Sequence, residues 1–166
     1  NFVFDKGHSR ARLMIESNAG GAGWLDYDLD GFWDLFLPQG GNPFTEGEER
    51  RPSLDQLYRN VSGTEFVRVT EAAGLGDTEF GHGVCVGDFN DDGFDAVYVT
   101  NVGPDALWQN MGDGTFQDVS QSAGINNPAW ASSAAWYDLD GDSDLDVYVC
   151  NYADYDPRDP IACPSD

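Results

Sequence analysis

The chain has 166 residues, with 30 acidic side chains against 8 basic ones and a formal charge of −22. That balance excludes nucleic acid and an anionic membrane surface as direct partners, because phosphates would be repelled rather than neutralised. Apolar residues at 40% and five Trp exclude a disordered acidic tail, and no run approaches the ~20 apolar residues that a membrane helix needs. There is no initiator Met and no basic segment followed by an apolar one, so any signal peptide is expected to have been removed or to lie outside this segment. Of the acids, 23 are Asp, a residue that favours turns and caps and, in clusters, binds hard cations.

In chain order, Asn1-Phe2-Val3-Phe4 reads as a strand comparable with those at Phe66 and Phe116. An acidic loop begins at Asp26 and runs into apolar Leu35-Phe36-Leu37. Residues 41–52, rich in Gly, Pro and charge, read as an insertion in a surface loop. Then come Leu57-Tyr58-Arg59-Asn60, Gly63-Thr64-Glu65-Phe66 and Ala73-Gly74-Leu75. The series returns as Leu107-Trp108-Gln109-Asn110, Gly114-Thr115-Phe116 and Ala123-Gly124-Ile125. Leu57 and Leu107, Asn60 and Asn110, Phe66 and Phe116, and Gly74 and Gly124 are each 50 positions apart. Further acidic loops begin at Asp88 and Asp138, again 50 apart, whereas Asp26 to Asp88 is 62, a surplus that the insertion explains.

Val97-Tyr98-Val99 and Val147-Tyr148-Val149 are short β-branched and aromatic runs bounded by turn residues, and Phe66-Val67-Arg68-Val69-Thr70 alternates as a half-exposed strand does. Each unit therefore reads strand, acidic loop, strand, turn, strand, Gly-containing turn, strand, with helix confined to turns at Glu71–Gly74 and Gln121–Gly124. Four short strands in about 50 residues is the period of a β-propeller blade. The expected fold is all-β: about three four-stranded blades, over residues 13–75, 76–125 and 126–166, forming part of a larger propeller. Closed propellers need about 4–8 blades, and the third unit has no counterpart of Leu107 or Phe116. The polypeptide is accordingly expected to continue past Asp166, or its ends to be covered by other subunits.

The three acidic loops align position by position: Asp26-x-Asp28-x-Asp30-Gly31-Phe32-x-Asp34, then Asp88-x-Asn90-x-Asp92-Gly93-Phe94-Asp95-Ala96, then Asp138-x-Asp140-x-Asp142-Ser143-Asp144-x-Asp146. Oxygen-bearing side chains fall at positions 1, 3 and 5, and at 9 in two of the three. Ca2+ takes 6–8 oxygen ligands, and alternate residues of a tight loop can aim carboxylates at one point. The expected ligands are the side chains at these positions with a main-chain carbonyl near position 7 (Phe32, Phe94, Asp144), completed by water. Gly at position 6 permits the chain reversal, and Ser143 departs from it. Thirteen of the 30 acids lie in the three loops. Solvated Asp-rich turns are the plain alternative, and three in register, each followed by an apolar strand, count against it. An EF-hand is excluded because its position 12 needs a bidentate acid, where this chain has Leu37, Val99 and Val149. The middle loop should bind most weakly, having Ala96 at position 9 and neutral Asn90 at position 3, with Asp95 one residue early and aimed to the other face.

A DxDxDGxxD loop closed by an apolar strand resembles the FG-GAP/VCBS repeat of integrin-like β-propellers. The longer phrases around Leu57–Leu75, Leu107–Ile125 and Ser132–Cys163 resemble the secreted bacterial relatives of cartilage acidic proteins, whose chains often end in an ASPIC/UnbV domain. The resemblance covers about residues 13–163 and implies a calcium-binding, extracytoplasmic propeller for binding or scaffolding, with no established catalytic residues. No ASPIC/UnbV segment is visible in this sequence.

Cys85 aligns with Gly23 and Ala135 and reads as a packing residue. Cys150 and Cys163 flank a Tyr/Asp/Pro-rich excursion and could close it as a disulfide, whereas the family resemblance suggests a partner for Cys163 further along. His8 and His82 have no second ligand near them in sequence, and Gly7-His8-Ser9-Arg10-Ala11 lacks the closing Gly of a nucleophile elbow. Asn60 begins a glycosylation sequon, but its counterpart Asn110 does not, so the Asn reads as a turn residue. Trp24 and Trp136 align with Val86 and read as core between blades, while Trp33 and Trp130 read as exposed loop residues able to serve a carbohydrate. The functional expectation is a non-enzymatic, extracellular or periplasmic segment that binds protein or glycan, its partners being other subunits or further blades of the same chain. The alternative is the propeller part of a secreted lyase or hydrolase. One Lys, two isolated His and scattered Arg are poor stock for catalysis.

Overall fold

The computed structural model describes residues 2–7, 14–17, 20–41 and 53–154. After one 3-10 turn at Met14–Ser17, four antiparallel strands follow in chain order: β1 (Gly23–Leu25), β2 (Asp34–Leu37), β3 (Gln56–Asn60) and β4 (Phe66–Arg68). A single helical turn, α1 (Thr70–Ala73), ends at Gly74 in the left-handed conformation and leads to a second meander. Its strands are β5 (Phe80–Gly87), β6 (Ala96–Val102), β7 (Ala106–Asn110) and β8 (Phe116–Asp118). A third unit contributes β9 (Trp130–Tyr137) and β10 (Asp146–Ala153), paired antiparallel, with Val102 of β6 opposite Trp130 of β9 joining the second and third units. The molecule is all-β, built of propeller blades: among the described residues, two are complete and one is represented by two strands.

Sequence spacing becomes sheet register. Phe36 lies opposite Leu57 in the first blade, and Tyr98 opposite Leu107 in the second. The turn that follows the outer strand also repeats: Leu57 N–H donates to Thr70 Oγ1 at 2.8 Å, and Leu107 N–H to Ser120 Oγ at 2.9 Å. Each blade is apolar on both faces, so its neighbours supply the burial. Leu25, Phe36 and Leu57 of the first blade share one cluster with Val97, Val99 and Ala106 of the second, with Val84, Val86 and Trp108 at its edge. One unit later Cys85, Tyr98 and Leu107 meet Ala134, Trp136, Val147 and Val149. Trp136 stacks on Phe89 at 5.9 Å between ring centres and meets Tyr98 edge-on at 6.1 Å. The inner strands approach closely. A Cβ on Gly83 would stand 2.7 Å from Thr100 Oγ1 and 2.8 Å from the Ser132 carbonyl.

Several expectations are corrected. Residues 2–7 form no strand. Val3 is exposed, and the segment is tied down instead through Asp5, whose N–H donates to Gln39 Oε1 while its carbonyl accepts from the amides of Gly40 and Gly41. The alternating run from Phe66 supports a strand only to Arg68, because Thr70 turns inward to cap Leu57. Trp24 is 54% exposed: its position packs on a preceding blade, and none is present among the described residues. Trp130 is not an exposed loop residue but fully buried at the start of β9, against His82 and Tyr152. Cys85 is buried, as its small counterparts Gly23 and Ala135 suggest, and burial pushes its thiol up. Most of the insertion at 41–52, His8 with its GHSRA motif, and Cys163 with any bridge to the exposed Cys150 lie outside the described residues.

Candidate metal centres

The three acidic loops join the first and second strands of each unit, at the same end of the blades. Position 1 organises them. Asp26 accepts the amides of Asp30 and Gly31, both at 3.0 Å, and Asp88 those of Asp92 at 3.1 Å and Gly93 at 2.8 Å. In the third loop Asp138 accepts from Gly141 at 2.7 Å and Ser143 at 3.1 Å. Position 5 then makes an Asx turn to the amide of position 7: Asp30 to Phe32 at 3.0 Å, Asp92 to Phe94 at 2.9 Å, Asp142 to Asp144 at 3.0 Å.

This turn requires left-handed backbone at positions 4 and 6. Leu29 and Gly31 have φ of 55° and 88°, Asp91 and Gly93 56° and 87°, Gly141 and Ser143 80° and 79°. The third loop has its glycine at position 4 and strains position 6, where Ser143 carries a Cβ into the left-handed region. Ser143→Gly is therefore expected to stabilise the chain by ~0.5–1 kcal/mol, read as a higher urea midpoint at unchanged m-value.

Carboxylates converge in two of the loops. Oxygens of Asp26, Asp28 and Asp34 lie within 4.8 Å of one another, as do those of Asp138, Asp140 and Asp146. Position 9 closes each group from the start of the second strand. Asp34 is fully buried, with Oδ2 accepting the Tyr27 amide at 3.0 Å and Oδ1 the Asn60 amide at 2.8 Å. Asp146 Oδ2 accepts the matching Leu139 amide at 3.0 Å. Burial raises the Asp34 carboxyl to about 6, against the two amides that favour its charge and with the negative Asp28 and Asp30 adding to the rise. Asp28 Oδ1 is buried with no hydrogen-bond partner, so the first loop contains an oxygen that nothing in the protein satisfies.

Asp30 is drawn aside by a residue to which the sequence pattern gave no role. Arg59 on β3 places Nη2 2.9 Å from Asp30 Oδ2 and Nε 2.6 Å from Asp28 Oδ2. Its counterpart one unit on is Gln109, which reaches Asp92 Oδ2 at 3.4 Å, so position 59/109 beside the repeated Asn was the available signal. In the third loop Asp142 is occupied by the Asp144 amide and does not join the converging group. The middle loop brings no three carboxylates together: Ala96 is buried at position 9, and Asn90 Nδ2 donates to Asp92 Oδ2 at 2.8 Å. Asp95 lies between loops. Burial raises its carboxyl, the negative charges of Asp88 and Asp26 add to that, and a hydrogen bond from the Asp26 amide opposes it. The position-12 residues Leu37, Val99 and Val149 all lie in strands, as the exclusion of an EF-hand requires.

Residues 88–149 match the FG-GAP-like repeat family. The chain carries an FG-GAP-like repeat. The repeat opens at position 1 of the middle loop and closes in β10, so it contains the second and third loops and the strands between them. Cartilage acidic protein 1 of Xenopus tropicalis is 31% identical over 103 residues, covering 60% of this chain and 16% of that protein. Cartilage acidic protein 1 of Mus musculus is 33% identical over 102 residues, 58% of this chain, and that of Homo sapiens 33% over 106 residues, 63% of this chain. The chain spans 16% of the length of each of these relatives. No helix among the described residues is long and apolar enough to cross a membrane.

Proposed function

We propose that this chain is a calcium-binding β-propeller segment that works outside the cytoplasm as a non-catalytic surface for protein or glycan, its loops set by Ca2+. The convergence of three carboxylates in each of two loops carries the reading. Like charges so close repel strongly unless a cation joins them, and an all-oxygen ligand set suits Ca2+ rather than a softer metal. Asp26, Asp28, Asp30 and Asp34 would hold one ion with the Phe32 carbonyl, and Asp138, Asp140, Asp142 and Asp146 another with that of Asp144. Asp88, Asn90, Asp92 and the Phe94 carbonyl would form a third, poorer set. The extracytoplasmic setting rests on the likeness to cartilage acidic protein 1. Trp33, 61% exposed within the first loop, offers the aromatic surface that a glycan or a protein partner would use. A non-catalytic role is favoured by His82, which is 8% exposed, packed between Phe80 and Trp130, and lowered by burial to about 4.

Calorimetric titration of metal-free protein tests the sites. Two ions should bind tightly and the middle loop about a hundredfold more weakly, since it lacks two carboxylates, at positions 3 and 9, and each loss removes ~1.4 kcal/mol of charge-assisted ligation. Asp34→Asn and Asp146→Asn should each abolish one tight event. Equal affinity at three sites, or no heat at all, would overturn the assignment.

A further inference from the structure

At the end of the strands away from the acidic loops, Asp55 in the β2–β3 connection and Asp105 in the β6–β7 connection hold the same place 50 positions apart. Both are buried, at 0% and 4% exposure. Each accepts a main-chain N–H on Oδ1, from Gln39 at 2.6 Å and from Asn101 at 2.8 Å. Their second oxygens differ. Asp105 Oδ2 accepts from the Tyr98 hydroxyl at 2.9 Å and from Asn127 Nδ2 at 2.9 Å. By the repeat offsets of 62 and 50 positions, Tyr98 corresponds to Phe36 and Asn127 to Asp77. Both donors are missing from the first unit, and Asp55 Oδ2 is buried with no hydrogen-bond partner.

Asp77 is fixed beside it. Its carbonyl accepts the Asp55 amide at 3.1 Å, its Oδ1 accepts the amides of Thr78 at 2.6 Å and Glu79 at 3.0 Å, and its Oδ2 accepts Asn101 Nδ2 at 2.5 Å. We propose that Asp55 and Asp77 share one proton, Asp55 standing as a neutral carboxylic acid at neutral pH and donating from Oδ2 to the Asp77 carboxylate. A protonated Asp55 supplies the donor that Tyr98 and Asn127 give Asp105, and avoids an unpaired negative charge on Asp55 beside the Asp77 carboxylate. Burial pushes Asp55 well above the ordinary carboxylate range, the charge of Asp77 adds to it, and the Gln39 amide opposes it. Asp77 is raised by burial too, against the Glu79, Thr78 and Asn101 hydrogen bonds. The other charged groups facing the pair, Glu79 and Asp105, are negative and disfavour a second ionisation. The pair titrates as a unit.

The folded pair keeps a proton that the unfolded chain releases at an ordinary carboxylate pKa. Its contribution to stability is complete below that value and is lost as pH rises to the raised folded value, the unfolding constant climbing about tenfold per pH unit within the window. Urea unfolding from pH 5 to 8 in saturating calcium tests this. Asp77→Asn rebuilds the Asp105–Asn127 arrangement, with Asn101 turning its unpartnered Oδ1 to the new amide as Asn151 does for Asn127. That variant is expected to lose up to about tenfold per unit of the rise, and Phe36→Tyr to flatten it through the restored phenol. Titrations at Asp34, Asp95 and His82 are common to all these proteins and cancel in the difference; Asp105, whose carboxyl the Asp77 charge helps to raise, is separated by Phe36→Tyr, which leaves that charge in place. Infrared spectra at pH 7 should show a protonated-carboxyl band in the wild type that is absent from Asp55→Asn. Identical pH slopes in wild type and Asp77→Asn, or no protonated-carboxyl band at pH 7, would overturn the proposal. A slope that follows calcium concentration with no such band would place a cation there instead, and would overturn it equally.

Discussion

Chelation with excess EDTA is expected to lower the melting temperature by about 10–20 °C. An ion held at 100 times its dissociation constant stabilises by ~2.7 kcal/mol, so two tight sites contribute ~5 kcal/mol. In a chain of this size each kcal/mol moves the midpoint by about 2–4 °C. The two loops should not respond alike. Arg59 neutralises part of the first loop by pairing with Asp28 and Asp30, and Asp34 is anchored by amides of Tyr27 and Asn60. The third loop is exposed over most of its length, and among the described residues no Lys or Arg pairs with its acids. Limited proteolysis in EDTA should therefore cut first between Asp138 and Asp146. Magnesium should restore little of the lost stability, since it demands near-octahedral geometry and keeps its waters. An unchanged melting temperature in EDTA would remove calcium from the account of this fold.

The architecture was legible because the repeat states the same answer three times. Leu57 and Leu107 are spaced as they are because both lie in the third strand of a blade, opposite Phe36 and Tyr98. The loops were legible because Asp at alternate positions, with glycine at the reversal, has few structural uses. What the pattern hid was context between units. Trp130 follows Asn126-Asn127-Pro128 and looks like loop, yet it stands 50 positions after Phe80, and both are fully buried; the repeat held that signal and local turn chemistry obscured it. Trp24 shows the converse. It shares a position with Trp136, but Trp136 has a preceding blade to pack on and Trp24 has none among the described residues. Arg59 and the Asp55–Asp77 pair were invisible for another reason: they are where the repeat is broken, by Arg for Gln109 and by Asp for Asn127, and only the neighbouring unit shows what each substitution changes.

Trp130→Ala is expected to cost about 3–5 kcal/mol, the range for deleting a large buried aromatic side chain. Trp130 is fully buried in a cluster with Ile15, Phe80 and Val102. Its ring meets His82 edge-on at 5.2 Å and Tyr152 at 4.8 Å between centres. It also opens the inner strand of the third unit and lies opposite Val102, at the point where β9 joins β6. The cavity left by its removal would therefore fall on the joint between two blades, where neither sheet can collapse inward without disturbing its own register. Trp130→Phe should recover most of the loss, because Phe80 fills the same position one unit earlier and is itself fully buried. The measurement is the urea midpoint of each variant in saturating calcium. A Trp130→Ala protein that unfolds within ~1 kcal/mol of wild type at unchanged m-value would mean that the second and third units are held together elsewhere, chiefly by Trp136 against Phe89 and Tyr98.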